Sequence, residues 1–172
     1  LPVSSVVAKP APSPVARQGY LVLHEDGQVQ NFGKHATFGS ATSGVPVAIR
    51  RHPIADGYWI AAASGAVDPF GAVSALDSLS HLSLNAPVVD MAVHPTGEGA
   101  WLAASDGGVF ALGQAGFYGH AVDLDLVAPI TGIAAHPQGG GYWLCSEDGG
   151  IFSYGEATFQ GSAASIALAG PA

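Results

Sequence analysis

The stretch Gly141–Gly161, GYWLCSEDGGIFSYGEATFQG, recurs upstream as GAWLAASDGGVFALGQAGFYG over Gly99–Gly119. More diverged copies read GYWIAAASGAVDPFGAVSALD over Gly57–Asp77 and GYLVLHEDGQVQNFGKHATFG over Gly19–Gly39. Trp59, Trp101 and Trp143 stand 42 residues apart, and the first copy lies 38 residues before the second. A repeat of this length is one supersecondary unit that cannot bury its faces alone and is stabilised by stacking on its neighbours.

Each unit opens with a short apolar run bounded by proline: Val45–Pro53, Pro87–Pro95 and Pro129–Pro137, with Pro2–Pro10 on the same template. Proline cannot donate to an inner ladder, so it marks the ends of a strand. The whole chain, 1–172, then reads as one domain of four repeats, approximately 1–44, 45–86, 87–128 and 129–172. The first carries an insertion, Ala11–Gln18; the alternative is that 1–18 is in part a Pro-rich linker. After the proline, a second strand is predicted over Trp101–Ser105 and Tyr142–Ser146. Asp26-Gly27, Asp106-Gly107 and Asp148-Gly149 follow such strands, with Ser64-Gly65 in the second unit. Asp-Gly between apolar runs is a strong hairpin signal, because these residues tolerate positive φ. A third strand (Val67–Phe70, Val109–Leu112, Ile151–Tyr154) ends at Gly71, Gly113 or Gly155, and a fourth is predicted over Gly116–His120 and Thr158–Gly161. The expectation is four antiparallel strands per unit and no helix.

In the second and third strands apolar residues fall on both faces, where an exposed meander would alternate apolar with polar. Only 10% of the residues are charged and 48% are hydrophobic, against roughly 25% charged in ordinary domains. Sheets covered on both sides, with only edges and turns in water, account for this. The predicted fold is therefore all-β, a small β-propeller of four blades with about four strands each. A half-ring completed by a second copy, or an excerpt of a longer propeller, are the alternatives. A net charge of −8 with five Lys and Arg argues against a nucleic-acid partner, and no apolar run approaches a membrane span. Cys145 is the single cysteine, so there is no disulfide framework, and its place beside Trp143 reads as an inert buried thiol. The absence of an initiating Met reads as a removed signal peptide or an excised segment.

The pattern GYW[LI]-x3-[DS]-G-[GA]-[VI]-F-x-x-G-x-A-x-F-x-G, followed by L-x-x-P-[IV]-x-[GD]-[MI]-A-x-x-P, resembles a repeat family of secreted and cell-surface proteins of actinobacteria. The likeness is close in units three and four and weaker in one and two. It implies WD40-like propeller blades appended to cell-wall hydrolases and esterases, and a secreted or cell-surface setting. It carries over no catalytic residue, because such repeats are accessory.

The side chains support no catalytic residue and no cofactor. No Ser lies in a Gly-x-Ser-x-Gly elbow and no Gly-rich phosphate loop opens a helix. The acidic turns sit at identical places in separate repeats, as a hairpin requires. The candidate ligand-binding set is His52, His94 and His136, each before a proline at the end of the first strand, with Arg51 beside them. Imidazoles gathered at one channel mouth can hold an anion or a divalent metal. Lys9 in the fourth place argues against a metal, and the alternative is that each His bonds a neighbouring loop. Arg50-Arg51 and Ala11–Gln18 break the repeat symmetry and are natural places for a specific contact. Most aromatics at the repeat period read as core between blades. The expected function is a non-enzymatic extracytoplasmic module that binds a cell-wall glycan or a protein partner. A structural role in assembly, including a homodimer, is the alternative, and a hydrolase is the least favoured reading.

Overall fold

A computed structural model describes residues 19–33, 36–41 and 43–164. Among them are eleven strands and no helix, arranged as one two-stranded and three three-stranded antiparallel sheets. The first sheet pairs β1 (Gly19–Leu23) with β2 (Val29–Gly33). The second holds β3 (Pro46–Arg51), β4 (Gly57–Ala62) and β5 (Val67–Gly71). The third holds β6 (Val88–Val93), β7 (Gly99–Ala104) and β8 (Val109–Gly113). The fourth holds β9 (Ile130–Ala135), β10 (Gly141–Ser146) and β11 (Ile151–Gly155). In each three-stranded sheet the Trp-bearing strand is central. The expected strand Pro2–Lys9, the insertion Ala11–Gln18 and Lys9 lie outside the described residues.

The hairpins form where the Asp-Gly pairs predict them. Asp106 Oδ1 accepts the Gly108 N–H at 3.0 Å, and Gly107, at φ 91°, donates back to the Ala104 carbonyl. Asp26 and Asp148 make the equivalent bond to Gln28 and Gly150. These carboxylates are occupied as turn formers, and in the second unit the Ser64 hydroxyl takes the Ala66 N–H in the same place.

The fourth strand is not seen. Residues 116–120 and 158–161 run as irregular backbone. The reason is visible in their hydrogen bonds, which go to side chains instead of a ladder. The Trp59, Trp101 and Trp143 indole N–H groups donate to the carbonyls of Ser74, Gly116 and Thr158, each fifteen residues on. The next unit's tyrosine then pins the segment's end. Tyr142 Oη donates to the Gly119 carbonyl and accepts the Tyr118 N–H, and Tyr58 Oη does the same with Gly39 and Phe38. Buried backbone groups must find partners, and these were met without a fourth strand.

Consecutive sheets stack face to face. One core joins Trp59 and Ala61 of β4 to Met91, Ala100 and Leu102 of the next sheet. The next joins Trp101 and Ala103 of β7 to Ile133, Tyr142 and Leu144. Along β7, alternate residues thus face the preceding and the following sheet. The strands β4 and β7 are buried at every position, as sheets covered on both sides require.

The two ends of this stack differ from its middle. Trp59 and Trp101 are fully buried, whereas Trp143 and Cys145 are only partly so. At the other end Tyr20 is 61% exposed, while the matching Tyr58 and Tyr142 are buried. Two expectations are corrected here. Not every sheet is covered on both sides, and Cys145 is not a fully buried thiol. Of the aromatics at the repeat period, most of which read as core, Phe117 and Phe159 lie exposed because they sit on the irregular segments outside the sheets.

Candidate functional site

The histidines end β3, β6 and β9 in the same way. Each ring lies against the tryptophan of its own unit, with centroids 5.3 Å apart for His52–Trp59, 5.5 Å for His94–Trp101 and 5.8 Å for His136–Trp143. His52 Nδ1 accepts the N–H groups of Ile54 and Ala55, and His94 Nδ1 bonds the Thr96 hydroxyl at 2.8 Å. The opposite edge of the ring meets the next unit. A Cβ on Gly97 would collide with the His52 ring, and one on Gly139 with the His94 ring. Only glycine leaves room for this approach. Burial pushes the His52 pKa below its ordinary value, and a bond that the ring donates to the Gly97 backbone partly opposes that. His136 lacks the turn bond of its counterparts: its Nδ1 is buried without a hydrogen-bond partner. No group of three His, Cys, Asp or Glu among the described residues is gathered closely enough to hold a metal ion.

Arg51 stands opposite Tyr58 in the β3–β4 ladder, next to His52. Its neighbour Arg50 does more. The guanidinium reaches Asp90 Oδ1 on β6 at 2.5 Å. Asp90 Oδ2 accepts the Ile133 N–H from β9 at 3.1 Å, and Oδ1 also takes the Met91 N–H. One carboxylate therefore ties the first strands of three successive sheets. Asp90 was missed in the sequence; the readable signal was a carboxylate inside the apolar run Pro87–Val93.

Shallow clefts line the end of the stack where the hairpin turns lie. One of about 190 Å³ is bordered by Asn85, Asp106, Phe110 and His120. A wider one, about 430 Å³, lies between Ser105-Asp106 and the 124–129 segment. At that end Asp148 is held below the ordinary carboxylate range by the Ser146 hydroxyl and then by the Gly150 N–H.

The last sheet offers a different surface. Trp143, Cys145 and, across the ladders, Ile151, Ser153 and Ala134 share the face turned away from the third sheet. It carries no charge, and its one hydroxyl, Ser153 Oγ opposite Trp143, is buried without a hydrogen-bond partner. No helix among the described residues is long and apolar enough to cross a membrane. Compared with known proteins, the chain matches no family model and no curated sequence.

Proposed function

We propose that the chain is a non-enzymatic, extracytoplasmic interaction module of propeller type that docks a protein partner on the outer face of its last sheet. One observation carries this. Trp143 occupies the same place and makes the same indole bond as Trp59 and Trp101, yet it alone is left partly open. A face built to be covered and not covered by its own sheets is where a partner gains most apolar contact. The propeller reading is supported by the repeat length and the face-to-face stacking in chain order. The extracytoplasmic setting is supported by the family resemblance alone. The test is a photoreactive amino acid in place of Ile151, at the edge of that face, exposed to cell-wall extract. A protein adduct lost on Trp143→Glu is expected; no adduct sinks the reading.

A second reading has its own support. Asn85, Asp106 and His120 around Phe110 give amide, carboxylate and aromatic groups in one cleft, the set that holds a sugar ring. A glycan array that lights up and goes dark with Phe110→Ala would favour it over docking.

A further inference from the structure

We infer that the partner of the Trp143 face is the β1–β2 sheet of a second copy of this chain, so that two copies join head to tail into a closed pair. The inference deepens the docking reading above and rests on it.

The chain itself shows what covers such a face. Between the third and fourth sheets, Trp101 and Ala103 are covered by Tyr142 and Leu144. Trp143 and Cys145 take the places of Trp101 and Ala103 one unit later. The cover they require is a strand pair presenting Tyr and an aliphatic residue two apart, with an aromatic across the ladder. The described residues leave one such face uncovered. Tyr20 and Val22 of β1 occupy the places of Tyr142 and Leu144, and Phe32, opposite Tyr20 in the ladder, occupies the place of Tyr154. Tyr20 and Phe32 are stacked at 5.1 Å and exposed by 61% and 40%.

The two faces match in chemistry. Tyr20, Val22, Gln30 and Phe32 on one side, and Trp143, Cys145, Ile151 and Ser153 on the other, carry no charge, so neither buries an unpaired ion. They do not cover each other within one chain, since Tyr20 and Phe32 are exposed, Trp143, Cys145, Ile151 and Ser153 are half-buried, and the first and last sheets share no substantial contact among the described residues. The two-stranded β1–β2 face measures about 17 by 10 Å, so one sheet-on-sheet contact covers roughly 350 Å² over both partners, below the floor of roughly 1,000 Å² for a specific interface. Two copies closed on each other make the contact twice, which raises the buried area to roughly 700 Å². Because the surfaces differ, the contact is heterologous, and closure keeps it from running on into a filament.

Light scattering on the purified chain tests this. The expected mass is twice the 17.2 kDa of one chain, falling to a single chain with Trp143→Glu and, separately, with Tyr20→Lys, while the β-sheet circular dichroism is retained. A short bis-maleimide gives the geometry. With Val22→Cys it should link Cys145 of one copy to position 22 of the other, and it should leave the wild-type chain, with Cys145 alone, unlinked. Dimers linked through two Cys145 thiols would mean a two-fold contact between like faces and would overturn the head-to-tail arrangement. A monomer overturns the inference as well, and acrylamide quenching then decides what else falls. An accessible Trp143 leaves the face for a different protein, and the docking reading stands. A shielded Trp143 means the chain covers its own face, and both readings fail.

Discussion

Three tryptophans at one repeat position hold the same bond in different surroundings, so substitution there reads the surroundings. Trp101→Phe strands the Gly116 carbonyl and opens a void in a fully buried site, and the expected loss is about 1–3 kcal/mol by denaturant unfolding. Trp143→Phe in the monomeric Tyr20→Lys background should cost less than about 1 kcal/mol, since that site is already open to water. Asp90→Ala removes a carboxylate bound by three sheets, with an expected loss of about 1–3 kcal/mol. Arg50→Ala should cost less, because its side chain is 39% exposed and screened. His52 gives a pH signature. Its folded pKa lies below the ordinary 6.5 because burial disfavours the imidazolium, so the folded chain binds fewer protons than the unfolded one just below that value. Stability should therefore fall as pH drops through 6.5 and level off below the folded pKa. Thermal melts from pH 8 to 5 should show that step in the wild type and a smaller one in His52→Gln.

At the scale of elements, the irregular segment after each third strand is held by side chains of two units. Tyr142→Phe removes the bonds to Gly119 and Tyr118, and a loss of about 1–2 kcal/mol is expected. Hydrogen exchange should show faster exchange at residues 117–120 with the third sheet unchanged. The hairpins were legible in the sequence because Asp-Gly encodes its own backbone geometry and Asp106 completes it locally. The first, second and third strands were legible from the apolar runs between Pro and Gly. The fourth was not, because Gly116–His120 satisfies its backbone through Trp101 and Tyr142, and no local pattern reports a partner more than ten residues away. The histidines were found by their spacing. Their use as packing against Trp and the next turn, seen at His52 and His94, depends on a neighbouring unit that a single repeat does not display. Arg50 was singled out as a break in symmetry suited to a binding contact; its bond to Asp90 inside the chain, forty residues on, was not read.

For the molecule as a whole, stacked sheets make stability a sum over neighbours, so the middle should outlast the ends. The second and third sheets carry the strands buried at every position, and the exposed Tyr20 marks the weaker start. The glycines at 97 and 139 have a consequence at this scale. Each is a notch shaped to the imidazole that closes the preceding unit. A unit copied in tandem would inherit both the plug and the notch. Such a chain can grow by duplication without inventing a joint.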